Sequence, residues 1–477
     1  MEVNGREVME NKTIASRRAH CLVLSFPAQG HINPMIQFSK LLVHEGVKVT
    51  LCTARFFTKK LQNLPPSMSI ESISDGFDEN GFEEAGSPKT YVEKLLQVGP
   101  QTLVVLLENL AQLGNPVDCI IYDSLMPWAL DVARKFGVVG ASYLTQNLCV
   151  NSIYYHFKLG KIKVPISGDN EDEILLPAMP KLQRQDLPTF FHTYQEEPIF
   201  LEFLVDQFSN IHKADWILCN SIYELEKEIA EWTTKIWPKF RVIGPNIPSM
   251  ILDNRIKDDQ GYDVAQFKSE DYCIEWLDNK PKKSVIYVSF GSMVPVKEEQ
   301  IEEIAYGLRD SNNYFLWVVR ASEENKLPKD FAKKSEKGLI VTWCSQLKVL
   351  QHEAIACFVT HCGWNSTLET LILGVPTIAM PQNSDQTTNA KYIVDVWKVG
   401  IRAPIYDEKK KIVTREAFKK CIVEMVDGEK GKEMKKNAIQ WRKLSLEGAS
   451  VGGSSHRNIL EFVNSLKGTC PGFEITL

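Results

Sequence analysis

The chain contains 477 residues, of which 44% are hydrophobic, so it is long enough to bury the cores of two or more domains. Its 55 basic and 60 acidic residues leave a net charge of −5 with no block of like charge, which argues against nucleic acid as a main partner. No apolar run reaches the roughly 18 residues of a membrane span, and the polar first residues lack the apolar core of a secretory signal, so we predict a cytoplasmic protein.

The first half of the chain alternates short apolar strands with helices. HCLVLSF predicts a strand, PAQG a turn, and INPMIQFSKLLVHEG a helix closed by glycine. VKVTLCTA predicts a second strand, and VDCIIYD, PWALDVARKFG and VVGASYL repeat the alternation around residues 117 to 144. Strands that alternate with helices predict a parallel, doubly wound sheet.

A polar stretch at residues 251–270 separates this half from a second one with the same alternation, and we interpret it as a linker. Beyond it, short strands and helical sequence follow each other in KSVIYVSFGS, EEQIEEIAYGLRDS, YFLWVVR, GLIVTW, CFVTH and VPTIAMP. We therefore predict two α/β domains at 20–250 and 271–456, with a polar tail at 1–19 and a C-terminal segment at 457–477.

Three consecutive strands of the second domain end at residues suited to binding. GLIVTW ends at Trp343, CFVTH ends at His361, and VPTIAMP ends shortly before Asp385. In open parallel sheets, ligands bind beyond the carboxyl ends of the strands. Trp343 offers a flat face for a base, and Gln346 and Glu369 could hold ribose hydroxyls. Together with the middle strand end, these residues predict a site for a nucleoside diphosphate.

The middle strand end, THCGWNSTLE, gathers polar groups at the start of a helix. A turn through Gly363 places Asn365 and Ser366 in the first turn, where free N–H groups and the helix dipole attract anions. The alternative is that Asn365 or Ser366 only caps the helix. One cap would suffice, yet four polar groups converge, so we predict a phosphate or diphosphate ligand here.

The 44 residues from Trp343 to Gln386 resemble the signature box of the plant family 1 UDP-sugar glycosyltransferases. The two-domain pattern over residues 20 to 467 is also similar to that family. The resemblance implies an α/β GT-B fold, in which two Rossmann-like parallel-sheet domains face a central cleft. It further implies that the C-terminal residues 457–477 pack back onto the first domain.

The resemblance implies UDP-glucose as the co-substrate. Uracil would stack on Trp343 and meet the backbone of Cys344, and Gln346 and Glu369 would bind ribose. The diphosphate would contact His361, Asn365 and Ser366 with Ser292 nearby, and the sugar hydroxyls would contact Trp364, Asp385 and Gln386.

Two positions differ from the usual box. Ser345 replaces a common proline, and Asn383 stands where an aromatic residue is expected. The second difference changes the packing expected behind Asp385. The final glutamine, Gln386, is usually associated with glucose rather than galactose in this family.

In the first domain, SFPAQGHINP places His31 just past a strand end, with Asn33 able to cap the next helix and Pro34 suited to its first turn. Asp123 ends the strand VDCIIYD and therefore lies on the same edge of the sheet. Taken alone, His31 could be a loop histidine without a function, and Asp123 could simply cap the following helix. Together they predict a general base and a carboxylate that orients it and stabilises its imidazolium form.

The resemblance assigns His31 and Asp123 these same roles, and it places Gly30 and Thr145 at the UDP-sugar. We predict a direct displacement in which His31 deprotonates an acceptor hydroxyl and the oxygen attacks the anomeric carbon with inversion. No clustered carboxylates accompany the anion-binding helix, so we expect no metal and no other cofactor. The cysteines and histidines of the box match no familiar zinc spacing.

The acceptor is less defined by the sequence. SYLTQNLCVNSIYYHF and DLPTFFH supply aromatic and apolar residues near the expected cleft. We predict a small hydrophobic acceptor with an exposed hydroxyl, on a phenolic, terpenoid or steroid skeleton such as a cardiotonic steroid. Two alternatives stay open: glucose ester formation on a small carboxylic acid of the salicylate or auxin type, and a nucleotide-sugar binder without catalysis.

Overall fold

The computed structural model describes residues 17–61, 64–165, 173–257, 272–292, 294–329, 331, 336–405 and 412–467. These residues form two parallel β-sheets. No helix in this part of the chain has the length and apolar character needed to cross a membrane.

The sheet of the first domain has the strand order β3-β2-β1-β4-β5-β6-β7, and each neighbouring pair is parallel. Its strands are β1 His20–Leu24, β2 Lys48–Ala54, β3 Met68–Ile73, β4 Cys119–Asp123, β5 Val139–Leu144, β6 Trp216–Cys219 and β7 Phe240–Val242. The helices of this half are α1 Gln29–His44, α2 Arg55–Thr58, α3 Phe82–Ala85, α4 Pro88–Gln112, α5 Trp128–Phe136, α6 Leu148–Lys158, α7 Pro198–Asp206, α8 Lys227–Ile236 and α9 Ser249–Leu252.

The sheet of the second domain has the order β10-β9-β8-β11-β12-β13, again parallel throughout. Its strands are β8 Val285–Ser289, β9 Tyr314–Val318, β10 Gly338–Val341, β11 Ile355–Thr360, β12 Thr377–Ala379 and β13 Gly400–Arg402. The remaining helices are α10 Tyr272–Asp278, α11 Glu298–Ser311, α12 Gln346–Gln351, α13 Trp364–Leu373, α14 Gln386–Lys391, α15 Arg415–Asp427, α16 Glu429–Ala449 and α17 Ser454–Lys467.

The central strands are apolar on both faces because both faces are covered. In β1, Cys21 and Val23 join one buried cluster with residues of α1, while Leu22 and Leu24 join another with residues of α4 and α5. Such strands contain continuous apolar runs rather than alternating ones. The α/β class with two Rossmann-like domains, predicted from these runs, is confirmed.

The strand order reverses at equivalent places in the two sheets. In the first sheet β1 lies between β2 and β4, and in the second sheet β8 lies between β9 and β11. The loops after β1 and β4 therefore diverge to opposite faces and leave a crevice, as do the loops after β8 and β11. Ligands of open α/β sheets bind in crevices of this kind.

The last helix, α17, belongs to the core of the first domain. Ile459, Phe462 and Leu466 are buried in the cluster that contains residues of β1 and α1, and the Phe462 ring lies 5.6 Å from the ring of Trp216. The helix begins at Ser454, three residues before the predicted segment. Of the predicted linker, 258–270 lies outside the described residues, and its start overlaps α9.

Four strands were not predicted from the sequence: β3, β6, β7 and β13. Three of them, β3, β7 and β13, lie at sheet edges, and β7 and β13 have only three residues each. The middle of β3 is exposed, so its sequence MSIESI shows no continuous apolar run. Short or partly exposed strands produce too few periodic positions to be recognised in a sequence.

Candidate active site

His31 lies in the first turn of α1, directly beyond β1. The predicted cap at Asn33 is wrong, because α1 already begins at Gln29 after Ala28, and no side chain caps it. Asn33 and Pro34 lie inside the helix instead. Consequently the backbone of a regular helix, rather than a loop, holds His31 over the carboxyl edge of the sheet.

Pro34 creates a contact between the two domains. Because proline has no N–H, the carbonyl of Gly30, four residues earlier, has no helical donor at this position. The side-chain amide of Asn365 in the second domain donates to that carbonyl over 2.9 Å. Gly30 and Asn365, both predicted at the UDP-sugar, are thus in direct contact across the cleft.

His31 and Asp123 form a close pair. Nδ1 of His31 lies 2.7 Å from Oδ2 of Asp123 and 3.2 Å from the hydroxyl of Thr145. Asp123 is fully buried, and its Oδ1 accepts a hydrogen bond from the backbone N–H of Leu125. Since a carboxylate only accepts, Nδ1 of His31 carries the proton, and Nε2 is left with a lone pair. This is the tautomer that a general base needs.

The electrostatics of this pair favour protonation of His31. Burial lowers the pKa of His31, but the charge and hydrogen bond of Asp123 outweigh burial, and Asp385 of the second domain adds to their effect. The pKa therefore lies above the ordinary value of histidine. His31 is a stronger base than a free imidazole and remains 21% exposed.

Helix α13, which follows β11, has no side-chain cap at its start. Its N-cap residue is Gly363, and neither Asn365 nor Ser366 caps the backbone. Cys362 just before it has a φ of +67°, which non-glycine residues rarely adopt. Because α13 starts directly after β11, beside the crevice between β8 and β11, its uncapped first N–H groups are available to an anion there.

His361 lies at the same crevice between two glycines. A Cβ atom would come within 2.8 Å of its Nε2 at Gly291 and within 2.5 Å at Gly363, so larger residues would displace the ring. Burial lowers the pKa of His361 to about 4, so the imidazole is neutral at neutral pH. A neutral imidazole has one N–H, and the backbone carbonyl of Ser289 competes with any phosphate oxygen for it, so His361 shapes the crevice without adding positive charge.

The predicted ribose-binding side chains contact each other. The amide nitrogen of Gln346 lies 2.6 Å from Oε2 of Glu369 and 2.9 Å from the Ser366 hydroxyl. Glu369 is buried, whereas Trp343, two residues beyond β10, is partly exposed. Cys344 is buried, and its sulfur lies 3.4 Å from the hydroxyl of Tyr287.

The orientation of Gln386 follows from its hydrogen bonds. Its side-chain oxygen accepts from the backbone N–H groups of Gln382 at 2.8 Å and Asn383 at 2.9 Å. The amide therefore presents its NH₂ group as a donor. The neighbouring Asp385 carboxylate can only accept, so the two residues present a donor and an acceptor side by side.

The charged form of Asp385 is stabilised by Asn389, a residue that the sequence analysis did not identify. Burial raises the pKa of Asp385, and a 2.7 Å hydrogen bond from Asn389 partly offsets this by stabilising the charged form. The side-chain oxygen of Asn389 in turn accepts from Asn147 of the first domain over 2.7 Å. No sequence signal pointed to Asn389, which lies three residues beyond the end of the box.

Two further residues predicted at the UDP-sugar, Trp364 and Ser292, make hydrogen bonds within the protein. The Trp364 indole donates to the backbone carbonyl of Asn220 over 2.7 Å, and this contact joins the two domains. Ser292 follows β8 and is exposed, and its carbonyl accepts from Arg320 over 2.9 Å. Arg320 also donates to Val294, so it holds the loop that faces α13. The sequence analysis did not identify Arg320.

Comparison with known proteins identifies the family of this chain. The family model described as UDP-glucoronosyl and UDP-glucosyl transferase matches residues 233–443. Mogroside I-E synthase of Siraitia grosvenorii is 43% identical over 455 residues, covering 94% of this chain and 99% of that one. The chain belongs to this family. The flavonol 7-O-beta-glucosyltransferase UGT74F1 of Arabidopsis thaliana is 44% identical, with 94% and 99% coverage.

Solved structures show the same fold. Os79 from O. sativa in complex with UDP is 36% identical and superposes with a TM-score of 0.87, covering 94% of this chain and 100% of that chain. The complex of Os79 with U2F and trichothecene gives a TM-score of 0.85. The enzyme is therefore a UDP-glycosyltransferase with two facing Rossmann-like domains.

Proposed function

We propose that the enzyme transfers glucose from UDP-glucose to a hydroxyl of a small hydrophobic acceptor, with inversion at the anomeric carbon. The position of His31 supports this proposal most directly. Its Nδ1 is bound to the buried Asp123, and the charge of Asp385, a predicted sugar-binding residue, raises its pKa. The residue before His31, Gly30, accepts a hydrogen bond from Asn365 of α13, so the base lies beside the proposed diphosphate site of the second domain.

The proposed step needs no further reactant. Nε2 of His31 takes the acceptor proton, the acceptor oxygen forms a bond to the anomeric carbon, and the bond to the UDP oxygen breaks. Asp123 stabilises the imidazolium that results. The N–H groups at the start of α13 receive the negative charge on the departing diphosphate. UDP and the glucosylated acceptor are the products.

Aromatic rings beside His31 support a hydrophobic acceptor. The Phe26 ring lies 5.4 Å from the His31 ring and 5.9 Å from the ring of Phe203 on α7. Phe26 and Phe203 are only partly buried, so they can cover an apolar skeleton next to the base. Together with the flavonol named for one relative and the trichothecene bound by Os79, they favour a phenolic, terpenoid or steroid alcohol.

Incubation with UDP-glucose and a mixed panel of phenols, steroids, terpenoids and carboxylic acids tests the proposal. We expect UDP release that depends on the acceptor, and a product heavier by one hexose by mass spectrometry. An O-glucoside resists mild alkali, whereas a glucose ester is cleaved, so the same product distinguishes hydroxyl from carboxylate acceptors. UDP-glucose binding without acceptor-dependent release would instead indicate a binder.

Metal independence is a second expectation. The N–H groups at the start of α13 would provide the stabilisation that a bound cation supplies in other sugar transferases. Excess EDTA should leave the initial rate of the purified enzyme unchanged, within about twofold. A loss of activity that magnesium or manganese restores would contradict this expectation.

A further inference from the structure

A segment of the first domain is bound to the sugar-binding loop of the second. The segment, residues 186–191 between α6 and α7, is called here the clamp segment, and residues 382–386 are called the sugar loop. Thr387 and Thr388, just after that loop, donate to the backbone carbonyls of Leu187 and Asp186 over 2.7 and 2.6 Å. The two domains are thus connected directly beside the residues predicted to bind glucose.

Thr189 makes the central contacts of this connection. Its hydroxyl donates to the side-chain oxygen of Asn383 over 2.6 Å and accepts from the backbone N–H of Ser384 over 2.7 Å. Its own backbone N–H donates to the carbonyl of Ser384 over 2.9 Å. One residue of the first domain therefore binds both backbone groups of Ser384.

The conformation of Ser384 explains why it needs this support. Its φ is +58°, in the left-handed region that non-glycine residues rarely adopt. A strained residue of this kind persists only when its surroundings hold it. Since Ser384 directly precedes Asp385 and Gln386, its backbone direction decides where those two side chains point.

The clamp segment is itself firmly anchored. Leu187 and Phe191 are almost completely buried in the core. The Asp186 carboxylate lies 3.6 Å from Lys391 and 3.5 Å from Arg402, both in the second domain. The clamp segment is therefore fixed against both domains and can hold the backbone of Ser384 in one conformation.

We propose that Thr189 is a positioning residue for the donor sugar: its hydroxyl, with Asn383, holds the turn at Ser384 so that Asp385 and Gln386 face the glucose of UDP-glucose. This inference rests on the proposed use of UDP-glucose. Asn383 then acts as the hydrogen-bond acceptor for the Thr189 hydroxyl, at the position where an aromatic residue is usual in the family.

Calorimetric titration with UDP-glucose and with UDP separates this role from a general effect on the fold. Thr189→Val keeps the shape of the side chain but removes the hydroxyl, so two hydrogen bonds are lost. We expect Thr189→Val to weaken UDP-glucose binding about tenfold while the affinity for UDP, which has no sugar, changes less than about twofold. Thr189→Ser should restore the wild-type values. Asn383→Ala, which removes one bond, should give an intermediate loss for UDP-glucose alone.

The matched control is Thr387→Val, the same change at the same interface. Thr387 binds the clamp segment but not Ser384, so the ratio of the two affinities should stay at its wild-type value. Equal losses for UDP and UDP-glucose in Thr189→Val, or no selective loss in both Thr189→Val and Asn383→Ala, would overturn the inference. A wild-type protein that binds UDP but not UDP-glucose would instead overturn the proposed donor, and the inference with it.

Discussion

Replacing His31 by alanine should lower kcat for glucosyl transfer by about 10²- to 10⁴-fold, the usual contribution of a general base. The affinity for UDP should stay within about twofold, because the proposed nucleotide site lies in the second domain. The acceptor hydroxyl would then have to lose its proton to water. Steady-state rates of UDP release in the presence of an acceptor, combined with calorimetric titration of UDP, measure both quantities.

His44→Ala provides the control for this experiment. His44 is an exposed residue at the other end of α1, so the same substitution changes the same helix without reaching the cleft. Its kcat should equal that of the wild type. If His31→Ala retained more than about a tenth of the wild-type kcat, His31 would not be the base, and the proposed mechanism would be wrong.

Changing Asp123 to asparagine should lower kcat by up to about 10⁴-fold and also alter the pH dependence. Only neutral His31 can accept a proton, so kcat/KM falls as the pH drops through its pKa. Without the Asp123 charge, burial becomes the larger influence and lowers the pKa of His31. The acid limb of the pH profile should therefore move to lower pH, although the variant is slower at every pH.

The direction in which the acid limb moves shows whether Asp123→Asn acts through the pKa of His31 or only by damaging the fold. A variant that merely unfolds more easily would lose rate without moving the acid limb downward. Asp131→Asn, at an exposed position on α5, serves as the control and should change neither quantity. An acid limb that stayed in place or moved to higher pH would show that Asp123 does not set the pKa of His31.

In the proposed mechanism the first domain supplies the base and the second binds UDP-glucose. Several hydrogen bonds fix the position of one domain relative to the other. Asn365 reaches Gly30, Trp364 reaches the backbone of Asn220, and Asn389 reaches Asn147. Each pair joins a residue of the second domain to one of the first. Since reacting atoms must approach within about 3 to 3.5 Å, contacts that fix the distance between the domains suit the proposed reaction.

Much of the architecture could be predicted from the sequence because it follows from local patterns. The continuous apolar runs of β1, β4 and β11 indicated buried parallel strands, and the polar residues that follow them indicated the carboxyl edge of each sheet. Strands β7 and β13 escaped prediction since three residues at a sheet edge carry almost no periodic signal. The start of α1 was misplaced because Asn33 and Pro34 are common at helix starts but also occur inside helices.

The sequence by itself determined the fold class, the residue types at the strand ends and the candidate base with its carboxylate. The tertiary structure alone decided which of these residues touch. The partners Gly30 and Asn365 are 335 residues apart in the chain, and Thr189 and Ser384 are 195 apart. Asparagine and threonine side chains can form hydrogen bonds as a helix cap, within a turn or across a domain interface, and the residue type does not say which. Which of these contacts forms depends on how two separately folded sheets face each other, and no local pattern contains that information.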